Sequence, residues 1–370
     1  MGTDIRGDQI RDGTITSTDV DSTIATTSAV LDRAGSTGSL QWRNRLINGG
    51  FDVWQRGTSF TDVSSGKTGG LLTYTADRWF GYRTGMVAGL SVDRFSGGST
   101  PYYNLYGARV IRASGNSDTS TLYFYQIIDA TDCQDLSGKT ITVSFKARNF
   151  ATSTSSSLTV YCVRGGTYGG SSWDLSQGTW TNLQSQTSVK TLTTSNQTFS
   201  ATFTIGSGST QTLAIGFAYT PTGTAGANDG FVVTGVQVEL GTTNSQFEYS
   251  PLILEIHRCQ RHFFSTFPRG TTPASSAGDD GSINYVTPLK DTQYMGVDCR
   301  FPVYMRAYPT VVTYNPYRSG SGWGNASDFT KDYTASVPTV SDNSLFVQND
   351  SNVSAHPIRC GIHLTAEAEL

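Results

Sequence analysis

Between residues 140 and 240, apolar and polar side chains alternate with a period of two. Ile141, Val143, Phe145 and Ala147 alternate with Thr142, Ser144 and Lys146, and Leu158, Val160 and Cys162 with Thr159 and Tyr161. Phe199, Ala201, Phe203 and Ile205 alternate with Ser200, Thr202 and Thr204. Leu213, Ile215, Phe217 and Tyr219 do so around Ala214, Gly216 and Ala218, and Val236, Val238 and Leu240 around Gln237 and Glu239. Successive strand side chains point to opposite faces, so the pattern predicts half-buried antiparallel strands. Gly- and Ser-rich turns punctuate them, which points to a sandwich or jelly roll. Helical spacing occurs at Leu252, Ile256, Cys259 and Phe263, with Pro251 in the first turn and Ser250 as the expected cap. Tyr249 and Leu254 stand where a hydrophobic staple would form.

A third period fits neither element. Ile5, Ile10, Ile15 and Val20 recur every five positions, with Ile24 one residue early, and only polar and turn residues lie between them. Such isolated apolar residues cannot bury themselves within one chain. Copies of the chain, or a host surface, must supply the other walls, so the segment reads as an assembly or attachment element. Closed symmetry would let three copies bury the ladder together, which predicts a homotrimer. The expected organisation is an attachment segment and linker over 1–42, a jelly-roll domain over 43–250, a helix and linker over 251–281 and a smaller β-sandwich domain over 282–370. In the last part Pro302, Pro309 and Pro316 cut the strands short. The fold class is therefore all-β with one connecting helix.

Composition narrows the function classes. Charged residues make up 15 % of the chain against a usual share of about 25 %. Tyr and Phe number 18 each and Gly 40, so large aromatics carry the core and turns are many. A net charge of −3 and the lack of any Lys/Arg run exclude a protein that tracks nucleic acid. No stretch approaches the roughly 20 apolar residues that span a bilayer, and the N-terminus has no signal-peptide pattern. Synthesis in a host cytoplasm is expected, and the sequons at Asn196, Asn325 and Asn352 are read as chance. Five cysteines without a CxxC pair predict free, mostly buried thiols.

Arg43-Asn44-Arg45-Leu46-Ile47-Asn48-Gly49-Gly50-Phe51-Asp52-Val53-Trp54-Gln55-Arg56-Gly57 resembles the opening of the receptor-binding region of many tailed-bacteriophage fibre proteins. Tyr74 to Phe80, Gln237 to Gly241, Phe247-Glu248-Tyr249, Arg258 to Phe263, Phe301 to Arg306 and Leu364 to Leu370 are similar to the later blocks of that pattern, in order. Leu136 to Arg148 and the strand ending Val236–Leu240 are similar to strands of jelly-roll carbohydrate-binding modules. The resemblance implies a structural virion protein, a tail fibre or appendage. It would join other virion proteins through its N-terminus and contact host surface glycan for adsorption. A capsid fibre or decoration protein is the alternative, and a glycan-degrading tailspike a third reading.

The candidate chemistry is non-catalytic. There is no G-x-S-x-G elbow. Asp52, Asp77 and Asp93 lie among arginines, where ion pairing is expected. His257, Cys259 and His262 differ in helical face and lack the convergent partners a zinc requires, so neither metal nor cofactor is expected. Arg6-Gly7-Asp8 reads as a turn of the ladder, and Trp54 and Trp79 as core. Two loops suit sugar. Tyr168, Trp173 and Trp180 lie in the first, and Tyr317, Arg318, Trp323, Asn325 and Asp328 in the second, aromatics among amides and carboxylates. The second is favoured because it is far from the attachment segment.

Overall fold

The computed structural model describes residues 43–61, 73–83, 89–96, 106–165, 184–208, 212–286, 296–320, 322–326, 332–349 and 359–369. The ladder residues Ile5, Ile10, Ile15 and Val20, and Tyr168, Trp173, Trp180 and Asp328, lie outside them.

The chain is nearly all β. The first twelve strands are β1 (Ser59–Thr61), β2 (Thr73–Tyr74), β3 (Phe80–Arg83), β4 (Leu90–Phe95), β5 (Gly107–Arg112), β6 (Leu122–Ile128), β7 (Thr140–Asn149), β8 (Ser157–Gly165), β9 (Gln184–Thr191), β10 (Gln197–Thr204), β11 (Thr212–Tyr219) and β12 (Asp229–Leu240). A short helix, α1 (Ala130–Cys133), follows β6. The strands form two antiparallel six-stranded sheets, ordered β1-β4-β5-β12-β7-β10 and β2-β3-β6-β11-β8-β9. The alternating residues read from the sequence meet between them: Ile141, Val143 and Phe145 of one sheet face Val160, Ile215 and Phe217 of the other. Trp79 sits at the centre, stacked on Phe124 with ring centroids 5.0 Å apart, and Trp54 and Trp79 are core as expected.

The opening block is structural. The Asn48 side chain donates to the carbonyls of Val53 (2.8 Å) and Asp77 (3.1 Å) and accepts from the Val53 amide (3.0 Å). Gly49 must be glycine, because a Cβ there would collide with the Val236 carbonyl at the register shift of β12.

The connecting helix, α2, runs Leu252–Gln260. Its cap is Pro251 and no side chain caps it, so Ser250 does not play the expected part. The helix turns Glu255 and Cys259 inward. Leu252, Ile253 and Leu254 are left 41, 57 and 38 % exposed, and Tyr249 is 54 % exposed, so the expected staple is not packed. Glu255 takes the inward place because its carboxylate accepts the Asn48 backbone amide.

Phe263 is not on the helix. It opens β13 (Phe263–Ser265), inside the stretch read as helix and linker, because it pairs with Glu367. The C-terminal unit continues through β14 (Ile283–Val286), β15 (Gly296–Arg300), β16 (Thr310–Tyr314), β17 (Trp323–Asn325), β18 (Asp332–Tyr333), β19 (Ala335–Val340), β20 (Ser344–Asn349) and β21 (Arg359–Glu367). β21 is its spine, pairing with β13, β14, β16 and β17. β15, β20 and β19 form a separate three-stranded sheet.

A buried charge network joins the two units. Glu369 receives Arg78 and, at 3.2 Å, Arg56. The Arg56 guanidinium lies 3.6 Å from the Phe263 ring centroid. His262 is 1 % exposed here; burial, then Arg78, Arg261, Arg306 and Arg56, hold its imidazole far below the usual range and so neutral.

Candidate functional site

Tyr317, Trp323 and Asn325 do come together at one end of the C-terminal unit, but not as a sugar face. Trp323 has 0 % and Asn325 2 % exposure, so neither presents a surface. The reason is strand pairing: β17 lies between β18 and β21, and Trp323 belongs to the cluster that includes Ile362 and Leu364. Trp323 is therefore withdrawn as a stacking residue. Tyr317 is half-buried, and its hydroxyl donates to Asp279 at 3.2 Å. Asp279 also pairs with Arg359 at 2.8 Å. These groups largely satisfy one another.

A stronger candidate was hidden in the first domain. The outer face of an exposed antiparallel sheet is normally polar. On the first sheet it is: Thr142, Ser144 and Lys146 of β7 lie opposite Thr202, Ser200 and Thr198 of β10. On the second sheet it is aromatic. Phe80 and Tyr82 of β3, Tyr123, Tyr125 and Ile127 of β6, and Tyr161 and Val163 of β8 form an apolar cluster separate from the core. The strand between β6 and β8 contributes Ala214, Gly216 and Ala218 to this face, with Thr212 at its start. An added Cβ at Gly216 would collide with Tyr125. These short residues let rings from both neighbours lean over β11. Tyr82 lies 6.0 Å from Tyr123, Tyr123 5.8 Å from Tyr161, and Phe80 5.3 Å from Tyr125.

The cluster is buried across β3 and β6, where Phe80, Tyr82, Tyr123, Tyr125 and Ile127 are all under a tenth exposed, and it opens at Tyr161 on β8, toward β9. There Tyr161 and Thr159 are half-buried, and Ser185 and Thr187, opposite Val163 and Tyr161, are exposed. An aromatic ring bordered by hydroxyls suits the apolar face and edge hydroxyls of a sugar. Signals for this site existed in the sequence: β6 and β11 carry almost no polar residue at outward positions.

Two cavities lie beside the opening block and share Asn44 and Arg258. The first, about 360 Å3, is lined by Asp52, Phe247, Tyr249, Leu254 and Glu255 among others. Asp52 does not pair with an arginine as expected; no hydrogen bond or ion pair reaches its carboxylate among the described residues. Burial, and then the Glu255 carboxylate, push it up to about 6. Asp77 and Asp93 have the expected partners, Arg56 at 3.9 Å and Arg109 at 3.0 Å. The second cavity, about 330 Å3, lies at the end of β6 between Arg78, Ile127, Asp129 and Arg261. The five cysteines are free, four of them buried and Cys299 half-buried. No group of His, Cys, Asp or Glu among the described residues could hold a metal ion.

No protein-family model and no curated protein matches the chain. Among solved structures, it is similar to the enzymatically active domain of tailspike protein 4 of bacteriophage CBA120, with 13 % identity and a TM-score of 0.31 over 44 % of this chain and 19 % of that one. It is also similar to a CBM4 protein, with 23 % identity and a TM-score of 0.30 over 52 % of this chain and 98 % of that one. A third is TmCBM61 in complex with beta-1,4-galactotriose, with 11 % identity and a TM-score of 0.31 over 54 % of this chain and 99 % of that one. At such scores these likenesses carry no weight for what the chain does. The sandwich rests on its own strand pairing.

Proposed function

We propose that the chain is a non-enzymatic glycan-binding appendage of a tailed-phage particle, a tail fibre, or a capsid fibre in the alternative reading. Its N-terminal segment attaches it as a homotrimer, and its β domains meet the host surface. The observation that carries the glycan reading is the aromatic outer face of the second sheet, open at Tyr161 beside Thr159, Thr187 and Ser185. The phage reading rests on the ordered blocks from Arg43 to Leu370. Stacking on a few rings in a wet interface gives weak affinity per site, and three copies raise it by avidity. The test is a glycan array and a host-adsorption assay on the full chain. Tyr161→Ala should weaken both about tenfold, the loss of one stacked ring, while the melting temperature stays within a few degrees. Normal adsorption by that variant refutes the site. Steady release of reducing ends refutes the non-enzymatic reading, and sedimentation as a monomer refutes the trimer.

A further inference from the structure

The entry to α2 leaves an apolar surface open. Tyr249, Leu252, Ile253 and Leu254 all stand exposed there. The helix cannot turn them inward, because Glu255 and Cys259 hold its buried positions. Single exposed apolar side chains are ordinary, but a contiguous group marks a surface that something covers. Beside it lies the cavity of about 360 Å3, whose apolar lining is Phe247, Tyr249, Pro251 and Leu254.

The nearest candidate to cover it is the chain itself. Asn44 lines the cavity and is fixed in place: its backbone amide donates to the Glu248 carboxylate at 2.9 Å and its side-chain amide to the Val236 carbonyl at 3.0 Å. The described residues begin one position earlier, at Arg43. Trp42 therefore starts within about 7 Å of Asn44, Cα to Cα. Leu40, two residues before Trp42, shares its face when the chain is extended. From Asp32 to Ser39 there is no large apolar side chain, so Leu40 and Trp42 are the ones placed to reach α2 first. Leu40-Gln41-Trp42 carries no charge, whereas an acidic segment would be repelled by Asp52, Glu248 and Glu255 on the lining. Glu248 can also accept the indole N–H. We infer that the apolar face of α2 and the adjoining cavity are the docking site of this chain's own Leu40-Gln41-Trp42, with the indole against Phe247, Tyr249 and Leu254. Docked there, the segment fixes the direction in which residues 1–39 leave the sandwich. The inference is independent of the glycan reading.

The experiment uses the full chain. Trp42→Ser should lower the melting temperature by about 3–6 °C, as for one large aromatic returned to water, and Trp42→Phe should recover most of that. Leu254→Ser should also lower it, and the double variant should melt within about 2 °C of the lower single, because the two side chains lose one shared contact. No shift for Trp42→Ser, or simple additivity, overturns the docking. A second measurement identifies the occupant. A photo-reactive p-benzoylphenylalanine replaces Ile253, and isotopically labelled and unlabelled chains are assembled together. Mass spectrometry should find position 253 joined to residues 40–42 of the same chain. Joining to residues 40–42 of another copy overturns the assignment in favour of exchange between copies, and joining to any other segment, or to none, overturns it outright. The crosslink needs neither serine variant, so it decides the matter even if one of them fails to fold.

Discussion

Asp229 offers a sharp test of how the first domain is held together. Its carboxylate, with no exposed surface, accepts from Arg112 Nε, from the Tyr219 hydroxyl at 2.5 Å and from the Thr154 amide at 2.8 Å. Arg112 is 2 % exposed and also donates to the carbonyls of Asp118 (2.6 Å) and Gly223. One ion pair thus ties β5, β11 and β12 to three loops, through Asp118, Thr154 and Gly223. Asp229→Ala strands a buried guanidinium and should cost about 3–5 kcal/mol. Replacing both partners, Arg112→Met with Asp229→Leu, removes the stranded charge but loses two carbonyl bonds of about 1 kcal/mol each. The pair should therefore be less destabilised than the sum of its single variants by roughly 1–3 kcal/mol. Urea unfolding followed by aromatic fluorescence measures all four proteins. A loss under about 1 kcal/mol for Asp229→Ala, or simple additivity, refutes the reasoning. The pH dependence is a second check. Burial works to raise the Asp229 carboxyl, but its bonds from Tyr219, Thr154 and Arg112 outweigh this and hold it below the usual range. Its stabilisation is complete above the unfolded value near ~4 and is lost as pH falls through the lower folded value, so Asp229→Asn should flatten the acid limb.

Asp52 behaves in the opposite sense: with its folded value raised to about 6, stability should fall as pH rises from about 4 through 6. Asp52→Asn should match the wild type at pH 4 and exceed it at pH 8, and equal stability at pH 8 would sink the assignment. Trp323→Ala should cost the C-terminal unit about 3–5 kcal/mol, because it empties a core position. An unchanged melting temperature with lost adsorption would restore Trp323 as a surface residue.

The jelly roll was legible because its inward positions announce themselves. Ile141, Val143 and Phe145 alternate cleanly with residues that water can hydrate, and the structure pairs them as expected. Trp54 and Trp79 were legible as core from their apolar neighbours. Trp323 misled because Gly320, Gly322 and Gly324 around it look like a loop. Two of those glycines are packing sites instead: a Cβ at Gly322 would strike the Tyr333 backbone, and one at Gly324 the Asn315 side chain. Nothing in local composition separates a glycine that turns the chain from one that lets a strand approach. Phe263 misled for a related reason. Its helical spacing is real, but its partner, Glu367, lies 104 residues away, and long-range pairing overrides local period.

The tyrosine platform shows the same limit from the other side. In β11 the residues between the inward ones are Ala214, Gly216 and Ala218, which read as small fillers of a buried strand. Their consequence appears only when β6 and β8 are placed on either side. Then the missing side chains let Tyr123, Tyr125 and Tyr161 meet over them. A strand that is apolar on both faces, in a sheet whose partner sheet is polar outside, must have one face covered or used. Here Tyr125 is covered and Tyr161 is only half-buried, so the boundary between the two conditions runs through β8. That boundary, with the hydroxyls of Thr159, Ser185 and Thr187 on its open side, sets Tyr161 apart from the rings that β3 and β6 bury.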